Sequence, residues 1–212
     1  SYAYHELGAR TAACIFGIAD DANVSMAEAF RDVFQKLGGK IVCYEGFREE
    51  DKDFTPILAK MRAAKPDVVY STGAYMNTAL IVRQARDLGI GSVFMGGDGW
   101  DSPKLIEIAG ARALEGSIFT NHYCTDIATP EAEAFVAKYE AKYRAAPDAC
   151  AALSYDCARL IIHAIEKAGK LDRNAVRDAL AATAGFRGVT GEITYKGTGD
   201  PEKSVVIQGI RN

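Results

Sequence analysis

The sequence predicts an α/β fold: a doubly wound parallel sheet, then a helical part forming a partial second lobe, then a returning β-hairpin. Three observations carry this. Short apolar runs alternate with amphipathic segments through residues 11–120; the stretch 130–183 keeps a helical period with little strand character; and 191–210 holds two strand-like runs around a Gly-Asp-Pro turn. Strands joined by helices of this length wind into parallel units, because a right-twisted strand feeding a right-handed helix returns to the sheet in one hand only.

The elements follow in order. "TAACIFGI" (11–18) reads as a buried strand. "VSMAEAFRDVFQKLG" (24–38) puts Met26, Ala29, Phe30, Phe34 and Leu37 on one stripe of a helix that Gly38 ends. "KIVCYEGF" (40–47) is the next strand, and "REEDKD" is a charged, solvated turn. Asp53 or Thr55 caps a helix over 54–64, with Pro56 in its first turn. "DVVYSTG" (67–73) is a strand, "NTALIVRQARDLG" (77–89) a helix, and "SVFMGG" and "LEGSIFT" (114–120) are further strands. Helices are expected over 130–144, 149–168 and 172–183. The second is apolar on more than one face, through Leu153, Leu160, Ile161, Ile162 and Ile165, so it requires neighbours on several sides. The organisation expected is an α/β lobe over 1–121, a helical part over 122–190 and a returning hairpin segment over 191–212.

With 212 residues and 49% hydrophobic content, the chain can bury a core. Its formal net charge of -3 and scattered Lys and Arg disfavour nucleic-acid binding. No apolar run has the length of a membrane span. "SYAYHELGAR" has neither the basic nor the apolar region of a signal peptide, so the expectation is a cytosolic protein, a mature secreted one or an excised piece. Five cysteines, Cys14, Cys43, Cys124, Cys150 and Cys157, are an odd number without a CxxC pair. Cys150 and Cys157 stand about 10 Å apart along one helix, too far for a disulfide.

Motifs for chemistry are lacking. "GIADDANVS" offers one glycine after the first strand where a dinucleotide site needs three, and neither a phosphate-binding P-loop nor a G-x-S-x-G elbow occurs. His122 and Cys124 form an isolated pair, read as a loop with no metal, and His163 reads as a core or interface histidine. No enzyme, metal or cofactor is expected. Doubly wound sheets bind ligands outside the carboxyl ends of their strands, here residues 18–23, 71–76, 97–101 and 121–125. "FMGGDGWDSP" (94–103) therefore places Asp98 and Trp100 on the binding edge.

"DKDFTPILAKMRAAKPDVVYSTGAYMNTALIVRQARDLGIGSVFMGGDGWDSPKL", "PDACAALSYDCARLIIHAIEKAG" and "GVTGEITYKGTGDPEKSVVIQG" together resemble the type I periplasmic solute-binding proteins of ABC transporters, of the Leu/Ile/Val-binding kind. The resemblance spans nearly the whole chain. It implies two α/β lobes that close on a ligand by hinge motion, with residues 1–121 as the family's second lobe, 125–187 as later helices of the first lobe, and 191–210 as the return. The sheet of the first lobe has no counterpart in this sequence.

Carried over residue by residue, the resemblance makes Asp98 the acceptor of an amino acid's ammonium group, a role suited to a carboxylate. Trp100 either walls the cleft or anchors its loop. Ala22, between Asp21 and Asn23, stands where the family often has a tyrosine. Ala74 stands at a second tyrosine position, with Tyr75 adjacent, and Cys150 where an aromatic is usual. These losses fit either drift in a disused site or a different, bulkier ligand. The implied partners are a small amino-acid-like solute and ABC-transporter membrane subunits, in the periplasm. The alternative is a ligand-free structural or regulatory module. Helices stripped of their sheet also imply a homodimer through 130–168, with a swap of helices or of the hairpin.

Overall fold

The computed structural model describes all residues except Ile127, Thr198 and Asn212. The chain forms two compact units, residues 1–120 with 207–212, and residues 121–206.

In the first unit a short helix α1 (Tyr2–His5) precedes strand β1 (Thr11–Gly17), helix α2 (Asp21–Lys36), β2 (Lys40–Phe47), α3 (Thr55–Ala64), β3 (Val68–Thr72), α4 (Tyr75–Asp87) and β4 (Val93–Gly96). A 3-10 turn (Asp98–Trp100), α5 (Pro103–Ala109), α6 (Ala111–Leu114) and β5 (Ile118–Asn121) follow. Among the described residues six strands make one sheet in the order β2-β1-β3-β4-β5-β9, where β9 is Val206–Gly209. The pairs from β2 through β5 are all parallel. Register places Cys14 opposite Tyr44 on one side and Tyr70 on the other.

The strands alternate between two apolar layers, as the two-residue period requires. Ile15, Val69 and Phe94 pack with Leu58, Met61, Ile81 and Leu105 from α3, α4 and α5. Val68 and Met95 point the other way, toward Phe34 of α2 and Ala3 of α1. Cys14 lies in a third cluster with Phe16 and Ala27, as its apolar run suggested, and burial pushes its thiol up to about 12.

Several boundaries differ from the sequence reading. Helix α2 starts at Asp21 rather than residue 24, because Asp20 accepts from the Ala22 amide at 2.9 Å and caps it. Asp21 then adds negative charge to the first turn, where the helix dipole favours it. The strand expected over 114–120 begins only at Ile118 as β5, and Leu114 instead ends α6.

The second unit holds α7 (Pro130–Tyr143), α8 (Ala149–Ala168) and α9 (Arg173–Ala181), capped by Thr129, Asp148 and Asp172. Its core gathers Tyr123, Ala132, Phe135, Ala152 and Val189. It also carries a small antiparallel sheet of β6 (Phe186–Gly188), β7 (Gly191–Tyr195) and β8 (Pro201–Glu202). The expected hairpin forms here, β7 and β8 pairing with Tyr195 opposite Pro201, but its second arm is short, and β9 makes the return to the large sheet, beside β5. Of the predicted hairpin segment, Thr198 and Asn212 lie outside the described residues.

Asp156 joins α8 to this small sheet. It is buried, and its carboxylate accepts from the amides of Val189 (2.7 Å) and Thr190 (2.8 Å) and from the Thr190 hydroxyl (2.8 Å). The Lys203 ammonium donates to that hydroxyl at 2.8 Å, and the Arg159 guanidinium stands 4.0 Å from the carboxylate. Ile161 and Ile162 of α8 are 51% and 55% exposed, which agrees with a helix built for neighbours on several faces.

Candidate functional site

The strand order reverses between β1 and β3. The chain leaves β1 outward to β2, then crosses back to the far side of β1, so the loops after β1 and β3 diverge and open a crevice. Gly17 ends β1, and Asn23 sits in the first turn of α2. The Asn23 amide donates to Asp20 at 3.2 Å, and its carbonyl accepts from the Thr72 hydroxyl at 2.9 Å, which fastens α2 to the end of β3. A cavity of 210 Å³ lies here, lined by Gly17, Asn23, Phe47, Ala74 and Met76, with Glu49 and Lys52 at its border. The glycines keep it open: a Cβ on Gly17 would lie 3.3 Å from the Asn23 amide nitrogen, and one on Gly73 would lie 3.1 Å from the Phe47 ring.

Asp98 opens the turn that follows β4. The next residue, Gly99, lies so close to β3's loop that an added Cβ would stand 3.0 Å from the Gly73 carbonyl oxygen and 3.7 Å from the Ala74 Cα. The Asp98 turn therefore rests on the wall of the crevice. Asp98 is exposed, and its charge also reaches Tyr70, whose hydroxyl is pushed up to about 12 by burial first, then by Cys14 and Asp98. The Tyr70 ring stacks on Phe30 with centroids 4.4 Å apart. Both rings line a second, apolar cavity of 420 Å³ between α1, α2 and strands β3 to β5.

The predicted residues divide into three groups. Ala74 and Asn23 line the crevice cavity, Asp98 lies outside its lining on the turn whose next residue, Gly99, approaches Gly73 and Ala74, and Ala22 and Asp21 belong to the exposed first turn of α2 rather than to a loop. Trp100 and Tyr75 point elsewhere. Trp100 is 1% exposed and fills the space above Gly96, with Phe119 at 6.3 Å between centroids. Of the two roles left open for it, this burial supports the anchor. Tyr75 is half-buried against the main core, and Met76 takes the place on the cavity wall that adjacency had suggested for the tyrosine. Cys150, exposed in the first turn of α8, belongs to the second unit.

Phe47, Glu49, Lys52, Met76 and Asn77 escaped the sequence reading. "REEDKD" is not merely a solvated turn: α4 holds it from beneath. The Asn77 side chain donates to the Glu49 carbonyl at 3.0 Å and the Gln84 side chain to the Lys52 carbonyl at 2.8 Å. A buried Asn77 inside the apolar period of α4 was the available signal.

Residues 1–211 match the family described as periplasmic binding protein. Among curated relatives, a Leu/Ile/Val-binding protein homolog of Brucella suis is 33% identical over 180 residues, 84% of this chain and 47% of its own length. A leucine-, isoleucine-, valine-, threonine- and alanine-binding protein of Pseudomonas aeruginosa is 29% identical over 175 residues, 82% of this chain and 46% of its own. The solved leucine-binding protein of Thermotoga maritima superposes with a TM-score of 0.93 at 39% identity, over 100% of this chain and 60% of that one. A branched-chain amino acid transporter substrate-binding protein of Streptococcus pneumoniae, in complex with isoleucine, gives 0.87 at 30%, over 99% and 59%. The chain spans about half the length of the curated relatives it matches, 47% for the Brucella suis protein. A family model matching residues 1–211, a parallel sheet with a crevice at its switch point, and relatives named for leucine, isoleucine and valine agree: the chain belongs to the periplasmic binding proteins.

Proposed function

We propose that this chain supplies one wall of an amino-acid-binding site in a solute-binding protein of an ABC transporter, acting in the periplasm without chemistry. The observation that carries the reading is the close approach of Gly99, the residue after the exposed Asp98, to Gly73 and Ala74, which sets the Asp98 turn beside the crevice where doubly wound sheets hold ligands. Asp98 takes the ligand's ammonium group. A charged acceptor suits that role, since a cation leaving water needs a charge-assisted hydrogen bond to replace its hydration. Asn23, Ala74 and the first turn of α2 border the ligand, while Trp100 holds the Asp98 turn in place from below. The small residues at positions 22 and 74 enlarge the wall and alter the site relative to one lined by tyrosines.

A thermal-shift screen of the twenty amino acids tests this. A shift with at least one, lost in Asp98→Ala while the unliganded melting temperature is kept, is expected. Shifts that survive Asp98→Ala would remove Asp98 from the site.

A second reading, a ligand-free dimeric module docking through 130–168, draws support from the exposure of Ile161 and Ile162 on α8. Light scattering separates the two: a dimer dissociated by Ile161→Glu, without any amino-acid shift, favours the module. A monodisperse monomer at micromolar concentration removes it.

A further inference from the structure

On the reading that Asp98 receives an amino acid's ammonium group, we propose that the switch-point cavity holds that ligand's side chain and selects one ending in a carboxamide, of the glutamine or asparagine kind.

Position comes first. The Asp98 turn packs on Gly73 and Ala74, and Ala74 lines the cavity. Because Gly99 is the residue that approaches Gly73 and Ala74, a ligand whose ammonium sits on the neighbouring Asp98 reaches the cavity by extending past Ala74. Size comes second. At 210 Å³ the cavity falls below the roughly 300 Å³ at which whole-ligand pockets begin, so it suits a side chain rather than an entire ligand. Gly17, Gly73 and Ala74 keep its inner wall low, and the Phe47 ring and Met76 offer apolar surface to a short methylene stem.

The border decides the class. Glu49 and Lys52 stand there with exposed side chains, and among the described residues neither side chain has a hydrogen-bond or ion-pair partner. Their backbone is held. Asn77 and Gln84 donate to the two carbonyls, Gln84 also accepts from the Phe54 amide at 2.8 Å, and Asp51 accepts from the Arg48 amide at 2.8 Å. The loop thus presents one acceptor-only carboxylate and one donor-only ammonium from a fixed frame. A cationic tail satisfies Glu49 and meets the like charge of Lys52. A carboxylate tail does the reverse. An aliphatic tail satisfies neither. A carboxamide carries both an N–H donor and a carbonyl acceptor, so of these four tails it is the one that matches both ends at once without a like-charge contact, and its two polar atoms reach farther apart than the single oxygen of a hydroxyl tail, which also donates and accepts.

Calorimetric titration of the natural protein, at the length its gene encodes, tests this with glutamine, asparagine, leucine, glutamate and lysine. The better amide is expected to bind about tenfold more tightly than leucine, since a border built to hydrogen-bond disfavours an analogue that cannot. In Glu49→Ala/Lys52→Ala, with folding checked by circular dichroism, that preference falls to about threefold or less. Leucine binding as tightly as either amide overturns the inference, and so does a preference that survives the double substitution. In both cases binding lost in Asp98→Asn leaves the amino-acid reading standing. Absence of binding by any amino acid overturns both together.

Discussion

Replacing Asp156 by alanine removes the group that fastens α8 to the small sheet of the second unit. Three donors converge on this carboxylate: the Val189 and Thr190 amides at 2.7 and 2.8 Å and the Thr190 hydroxyl at 2.8 Å. Both amides belong to buried residues, so neither finds water once the acceptor is gone. A buried donor left without a partner costs about 1–3 kcal/mol, and the hydroxyl can turn to another acceptor, so the two amides set a loss of about 2–6 kcal/mol. The Lys203 ammonium is partly desolvated here, which lowers its pKa, and the Asp156 charge opposes that lowering. Removing the carboxylate leaves this cation less compensated and moves the loss toward the middle of the range. Urea unfolding, followed by far-ultraviolet circular dichroism, reads the change as a fall in midpoint at unchanged slope. Gly188→Ala supplies an independent check, because a Cβ there would lie 2.5 Å from the Asp156 carboxylate and displace it. A loss below about 1 kcal/mol in Asp156→Ala would refute the reasoning, since that is the scale of one ordinary hydrogen bond.

Three further outcomes follow from side chains elsewhere in the chain. Gly96→Ala places a methyl inside the Trp100 indole and is expected to cost about 1–3 kcal/mol, seen as a lower thermal midpoint; a wild-type midpoint would show that Trp100 has another place to go. Asp67 accepts from the Arg10 and Thr11 amides and the Thr11 hydroxyl, and these bonds hold its pKa below the ordinary value, the Arg10 amide most. Its stabilisation is therefore fully present above the unfolded carboxylate value of about 3.9 and is lost as pH falls from there through the lowered folded value, so the melting temperature of Asp67→Asn should fall less between pH 5 and about 3 than that of the natural chain. An aromatic disulfide reagent should label Cys150 and Cys157 quickly, while Cys14, buried and with its thiol pushed up to about 12, stays unlabelled until the protein is unfolded.

Most of the first unit was legible because its order arises from local pattern. Apolar runs of strand length separated by amphipathic stretches are enough to specify a parallel sheet, and the end of α4 near Gly89 and the start of α8 after Asp148 carry their own stop and cap residues. What failed was set by partners distant in sequence. Trp100 looked exposed because it sits among glycines and carboxylates, yet Gly96 leaves room for its indole at the end of β4. Strand β6 is three residues long and is a strand only because β7 pairs with it, through Phe186 opposite Ile193. The hairpin reading holds for β7 and β8, which pair antiparallel, but β8 is two residues long and the following run joins the large sheet as β9, because nothing in its alternation says which edge is open.

The site divides along that line as well. Matching motifs one position at a time identifies which side chain stands at a place, and it named Asp98, Ala74 and Asn23 as candidates. It could not find Glu49 and Lys52, which sit in a charged run that reads as solvent-facing wherever it occurs. Their place at the cavity depends on Phe47 ending β2 next to Gly17, and on the chain returning across β1 to form β3. The approach of Gly99 to Gly73 is of the same kind. It depends on Ser71 standing opposite Gly96 in the β3–β4 register, so that both strands end at one level and their loops must touch. A change of one residue in that register would turn the alternating faces of β4 over and carry Asp98 away from the crevice, which is why the buried Val68, Val69 and Phe94 that lock the register are as necessary to the site as the carboxylate itself.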